Sequence, residues 1–138
     1  MNNRNDWNIA TIKEFRANSG KVGGPLTEMT LLILHTIGAK SKQEHINPVA
    51  YVTDGDRFVI IASKGGAPTN PDWYYNIIAN SQVTVEVGTE QFTARASITT
   101  EPERTRLYNK MIEMMPGFAE YQKKTTRIIP VIILSREK

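Results

Sequence analysis

The residues best suited to chemistry fall in three short blocks. Ser63-Lys64-Gly65-Gly66 closes an apolar run and precedes a short helical pattern, with Ala67 next in line. Two glycines let a backbone come close to a ligand, and open amides beside the Lys64 ammonium suit a phosphate or carboxylate. An ordinary strand-to-helix turn fits the same residues equally well. Gly38-Ala39-Lys40-Ser41-Lys42, with His45 beyond, joins two strand-like runs. Its lysines and hydroxyl could clamp an anionic tail, although by themselves they read better as a solvated hairpin loop. Trp73-Tyr74-Tyr75-Asn76 could wall a flat ring system, while aromatic residues more often complete a core. Tyr108 and Tyr121 can orient a substrate, donate a proton or simply pack. His35, inside an apolar run, is expected to be a hydrogen-bonded core residue, and Asp54 and Asp56 are turn formers.

Much chemistry is excluded. The 138 residues contain no cysteine, so thiol nucleophiles, disulfides and thiolate metal sites are absent. With two histidines and no acidic pair at a recognisable spacing, no metal site is expected, and an organic cofactor is the expected reagent. No GxGxxG follows a strand, and Walker, nucleophile-elbow and HExxH patterns are missing. A net charge of +3 is mild, and the basic clusters at 40–45 and 123–127 are too short to point to nucleic acid. No apolar stretch approaches the ~20 residues of a membrane span, and the first residues show no secretory h-region, so a cytoplasmic protein is expected.

The elements that must position these residues follow from periodicity and breakers. A helix is expected over about residues 6–17, with Ile9, Ile12 and Phe15 on one side, a stop at Gly20 and a break at Gly23-Gly24-Pro25. Strands are expected over 30–36, 46–53 and 57–63. Pro48 marks an edge or a strand start, and Asp54-Gly55-Asp56 a tight turn. Asn70 is expected to cap a helix carrying Trp73, Tyr74, Ile77 and Ile78 and ending near Asn80. Val83, Val85 and Val87, then Phe92, Ala94, Ala96 and Ile98, alternate around Gly88-Thr89 as a hairpin. Thr100 and Glu103 form a capping-box pattern before a helix with Leu107, Met111 and Met115, stopped by Pro116-Gly117. A short helical piece near Tyr121 and a strand over 128–134 complete the chain. Six strands with peripheral helices predict a mainly β, α+β fold, a compact antiparallel barrel within a single domain spanning 1–138.

Taken together, the segments resemble the deazaflavin-dependent nitroreductase family, the small split β-barrel proteins, related to FMN-binding barrels, that use coenzyme F420. The resemblance runs from Phe15-Arg16-Ala17-Asn18 through Asn47-Pro48-Val49-Ala50-Tyr51 to Ile129-Pro130-Val131. It is strongest in Ala62-Ser63-Lys64-Gly65-Gly66-Ala67-Pro68 and Asn70-Pro71-Asp72-Trp73-Tyr74. It implies an oxidoreductase that passes hydride from reduced F420 to a small organic acceptor such as an enone, a quinone or a nitroaromatic. It further implies that Lys40 and Ser41, with Lys42, His45 and Pro48, hold the coenzyme's phosphate and acidic tail. Ala62, Ser63, Lys64, Gly65, Gly66 and Ala67 would lie along the deazaflavin and its ribityl chain. Asn70, Trp73 and Tyr74 would shape the pocket, and Tyr121 would face the substrate as the catalytic residue.

The family usually has Gly-Arg-Lys-Ser-Gly in the first loop and another Arg shortly after. Here Ala39, Lys42 and His45 stand in those places. An ammonium does not grip a phosphate as an Arg fork does. The rivals weighed on the same fold are an FMN-dependent or pyridoxamine-phosphate-oxidase-like enzyme and a non-catalytic coenzyme carrier. Peripheral membrane contact and a homodimer stay open.

Overall fold

The computed structural model describes residues 3–17 and 31–137. Helix α1 (Asn3–Ala17) precedes strands β1 (Leu31–Ile37), β2 (Glu44–Asp54) and β3 (Arg57–Ile61). A 3-10 turn (Lys64–Gly66) leads to α2 (Asp72–Ala79). The hairpin β4 (Gln82–Val87) and β5 (Glu90–Ile98) follows, then α3 (Glu103–Met114), α4 (Phe118–Lys123) and β6 (Val131–Arg136). All strand pairs are antiparallel and close into a barrel in the order β1-β2-β3-β6-β5-β4. The expected six-stranded antiparallel barrel is therefore the fold.

Side-chain alternation explains which strands are apolar throughout. In β1, Leu32 and Leu34 point into the barrel, while Leu31 and Ile33 pack outward against Ile12 and Phe15 of α1. In β3 and β6, Ile60, Ile132 and Leu134 face inward. Val59, Ile61, Val131 and Ile133 pack outward beneath Leu107, Tyr108 and Met111 of α3 and Phe118 of α4. Strands covered by helices are buried on both faces and lose polar alternation. β4 and β5 keep theirs, which makes the hairpin legible as such.

Several boundaries differ from the sequence reading, each for a local reason. α1 begins at Asn3, three residues earlier than expected. The stop at Gly20, the break at 23–25, Asn18 and the strand start at Thr30 lie outside the described residues. β2 begins at Glu44 because Ile37 and Glu44 pair across the tight loop between the strands. Pro48 sits within β2, where β1 is the paired neighbour and β3 joins only from Tyr51, consistent with an edge position. β3 stops at Ile61 because the next partner in register, Pro130, accepts the Ala62 N–H at 3.0 Å but has no N–H to return. β6 starts after Pro130, which has no N–H for a ladder, and Ile128 is left exposed.

Two expected caps are replaced. Pro71, not Asn70, is the N-cap of α2, and it has no side-chain cap bond. At α3 the N-cap is Pro102, and Glu101 rather than Thr100 serves the first turn, accepting from the Thr105 N–H at 2.9 Å and hydroxyl at 2.7 Å.

Candidate functional site

The loop between β1 and β2 is built around Gly38. Its N–H donates to the Gln43 carbonyl at 2.8 Å and its carbonyl accepts from the Lys42 N–H at 3.0 Å. A Cβ at Gly38 would lie 2.8 Å from His45 Nε2 and still nearer Ser41 Oγ, so a larger residue there would push both side chains aside. Ser41 Oγ accepts the Gln43 N–H at 3.2 Å and sits 3.2 Å from His45 Nε2. Lys42, at a φ of 62°, folds its ammonium back to the Ala39 carbonyl at 3.1 Å.

Helix α2 lies beside this loop and divides its residues by helical period. Trp73 and Ile77 enter the barrel core, while Asp72, Tyr75 and Asn76 face the loop. Asn76 is buried and joins the two elements: its Oδ1 accepts the Ala39 N–H at 2.9 Å and its Nδ2 donates to Thr36 Oγ1 at 3.1 Å. Between loop and helix opens a cleft of about 600 Å³, lined by Gly38, Ala39, Lys40, Ser41 and His45 on one side and by Asp72, Tyr75 and Asn76 on the other. Lys40 has no ion-pair partner among the described residues, whereas Asp72 places a carboxylate on the opposite wall. Such a volume suits part of a flat or chain-like small molecule, and its free ammonium favours an anionic group.

The second expected block forms its own cluster. The Gly66 N–H donates to Ser63 at 2.9 Å and the Ala67 N–H to Lys64 at 3.2 Å, closing the 3-10 turn. Those two amides are therefore committed, which corrects the expectation of a fully open amide loop. Lys64 is exposed, with a φ of 48° and its Nζ 3.3 Å from Thr69 Oγ1. Gly66, at a φ of 87°, lies under α4, and a Cβ there would meet the Tyr121 carbonyl at 2.8 Å. Tyr121 is thus placed beside the loop. Its ring packs edge-on against Phe118 with centroids 4.9 Å apart, so it has more apolar company than its polar stretch suggests.

Other residues singled out in the sequence fall elsewhere. Ala62 is wholly buried and Trp73 nearly so, both in the barrel core, so neither side chain walls the cleft; Tyr75 is the ring that does. Tyr74 is half-buried against the same core, and Lys42 and Pro48 are not among the cleft's lining residues. Asn70 turns its Oδ1 to Arg127. Lys40, Ser41 and His45 share the cleft, whereas Lys64, Gly66 and Tyr121 share the loop–α4 cluster. The sequence reading includes Asn76 in the Trp73–Asn76 block but not its link to the loop, and it misses Asp72 and Arg127 as site-builders. The signal for Asn76 is a polar residue one position before the buried Ile77, on a helix whose other face is apolar.

His35 behaves as expected. Its Nε2 lies 2.6 Å from Glu86 Oε2 and its Nδ1 3.3 Å from Glu44 Oε2. Arg16 of α1 grips the same Glu86 with Nε at 2.9 Å and Nη2 at 2.7 Å. The Arg16 hydrogen bonds hold the buried Glu86 carboxyl below the ordinary carboxylate range, against desolvation and with help from His35. At the β2–β3 turn Asp54 is surrounded by Arg106, Arg57 and Lys110, which keep it far below that range.

Comparison with known proteins adds to this geometry. A family model described as F420H(2)-dependent quinone reductase matches residues 7–136. An F420H(2)-dependent quinone reductase of Mycobacterium tuberculosis (strain ATCC 25618 / H37Rv) is 37% identical over 126 residues, covering 88% of this chain and 85% of its own. A solved F420-H2 dependent reductase, FDR-A, has 36% identity and a TM-score of 0.71, over 76% of this chain and 93% of that one. Another structure, described as a domain-swapped dimer, has 32% identity and a TM-score of 0.73, over 96% and 99%. The heme storage protein HutZ from Vibrio cholerae, at 17% identity, a TM-score of 0.62 and coverage of 92% and 88%, shares the fold alone.

Proposed function

Because this chain belongs to the F420H(2)-dependent quinone reductase family, we propose that its cleft and the loop beside Tyr121 together hold coenzyme F420 against a quinone acceptor. When bound, the reduced coenzyme supplies the hydride, and the acceptor is the oxidant. The protein is an F420H2-dependent oxidoreductase, and nothing in the family supports the FMN alternative. The observation that carries the site assignment is the cleft between loop 38–45 and α2, with the unpaired Lys40 ammonium on its wall.

The residues fit an anionic, flat ligand. Lys40 and the Ser41 hydroxyl face the cleft where a phosphate or acidic tail would be drawn in, and Tyr75 offers a ring face. Asp72 repels the same charge and so directs the tail toward the loop side. Lys64 adds a second exposed cation, on the 3-10 turn. Gly66 lets α4 approach the turn, which sets Tyr121 beside it. A phenol there can hold a proton for the oxygen of an acceptor that gains negative charge. No helix among the described residues is long and apolar enough to cross a membrane; a cytoplasmic setting and a homodimer, the latter suggested by the domain-swapped relative, belong to this reading.

The test is stopped-flow mixing of the protein and reduced F420 with a soluble quinone, following reappearance of oxidised-coenzyme absorbance. Wild type is expected to turn over. Tyr121→Phe is expected to be ~10-fold or more slower at an unchanged coenzyme affinity, within the range for loss of a positioned proton donor. Full speed in the Phe variant would take Tyr121 out of the chemistry.

A further inference from the structure

The guanidinium of Arg127 is used in an unusual way. Its Nε donates to the Ala67 carbonyl at 2.9 Å, its Nη1 to Asn70 Oδ1 at 2.6 Å, and its Nη2 to the carbonyls of Ser63 at 2.9 Å and Ala62 at 3.2 Å. The loop's own backbone bonds, Gly66 to Ser63 and Ala67 to Lys64, form only its tip. Arg127 instead ties the entering limb, at 62 and 63, to the leaving limb, at 67 and 70. Arg127 has no carboxylate partner among the described residues, and burial works against its charge, lowering its pKa from the ordinary value. A half-buried cation spent on four neutral oxygens is costly unless the geometry it imposes is needed.

The same residue reaches the other side of the site. The Arg127 carbonyl accepts from Gln122 Nε2 at 2.7 Å, and Gln122 Oε1 in turn accepts from Arg104 at 2.6 Å and the Ile129 N–H at 3.2 Å. Gln122 follows Tyr121 on α4. One residue thus connects the 3-10 turn that carries Lys64 with the helix that carries Tyr121.

We infer that Arg127 is a positioning residue for coenzyme binding: it preorganises loop 62–70 and fixes that loop relative to α4 without touching the ligand. This rests on the coenzyme site proposed above. The Arg127→Lys change keeps the charge but cannot reach both limbs, since an ammonium lacks the planar fork. Binding would then have to order the loop at its own expense.

The experiment is a double-mutant cycle on coenzyme affinity with Arg127→Lys, Lys64→Ala and Lys40→Ala, read beside amide hydrogen exchange of the coenzyme-free proteins. Arg127→Lys is expected to weaken coenzyme binding about tenfold or more, the worth of one or two lost charge-assisted bonds. The Lys64→Ala effect should shrink when Arg127→Lys is already present, while the Lys40→Ala effect, in the cleft beside α2, should add independently. Exchange should rise at 64–67 and 118–124 and stay constant in the barrel strands. Wild-type affinity in Arg127→Lys, or an additive cycle with unchanged local exchange, overturns the inference. Should Arg127→Lys not fold, Asn70→Ala removes one of the four bonds alone, and the same local exchange and a smaller loss of affinity are expected; no change in either again overturns it. If Lys64→Ala and Lys40→Ala both leave wild-type affinity intact, it is the coenzyme site itself that fails.

Discussion

At the residue scale, a buried amide holds the cleft open. Among the described residues, Asn76 is the one side chain that bonds both β1, through Thr36, and the loop after it, through the Ala39 N–H. Asn76→Ala is expected to destabilise the protein by about 1–3 kcal/mol, because it leaves a donor and an acceptor unmet. It should also weaken coenzyme binding, by releasing the Gly38–Lys42 turn. Chemical denaturation and a coenzyme titration read the two effects, and unchanged stability would show that water replaces the amide fully. Lys40, Ser41, His45, Lys64 and Gly66 are singled out in the sequence by type and by the family resemblance together, since by type alone their loops read as well or better as ordinary turns. The roles of Asn76 and Arg127 are not legible there, because they lie in partners 37 to 65 residues away. Trp73 does not belong to the pocket the sequence suggests for it: its type suits a ring wall, but its place in α2 turns it into the barrel.

At the element scale, α1 is fastened to the barrel by an apolar contact and a charged one. Phe15 and Ile12 cover Leu31 and Ile33, and Arg16 reaches Glu86 on β4, which also meets His35 on β1. Since the folded Glu86 carboxyl titrates below its ordinary value of ~4.3, its contribution is complete above that pH and is lost as pH falls through the depressed folded value. Glu86→Gln is expected to be less stable than wild type at neutral pH by about 1–3 kcal/mol, through loss of charge-assisted bonds in a buried place. The gap should close on acidification below ~4.3. Subtracting the two stability curves removes the carboxylates common to both proteins, Asp54 among them, and a gap independent of pH would show that Glu86 acts by shape alone. Element types are readable from periodicity and boundaries are not. β6 starts three residues later than its apolar run because Pro130 cannot join a ladder, and α2 takes Pro71 as its cap because Arg127 claims Asn70.

At the scale of the molecule, closing six strands leaves the first half of β2 unpaired on one side and puts loop 38–45, α2, the 3-10 turn and α4 around the barrel's rim. An antiparallel barrel is expected from six strands with peripheral helices, but the order of β6 between β3 and β5 is not, since it depends on long-range pairing that periodicity does not encode. The mild net charge of +3 matters less than its placement, with Lys40 and Lys64 in no ion pair among the described residues and Arg57, Arg106 and Lys110 gathered on Asp54. The central claim is that this rim is built for an anionic deazaflavin. Its most direct test is an equilibrium titration of the protein with oxidised coenzyme F420 and, in parallel, with FMN, at low and high salt. F420 is expected to bind with a dissociation constant in the micromolar range or below, on the order of −8 kcal/mol, weakening as salt rises, and FMN to bind more weakly by about tenfold or more. FMN binding as tight as F420, or F420 binding no tighter than millimolar, would contradict it.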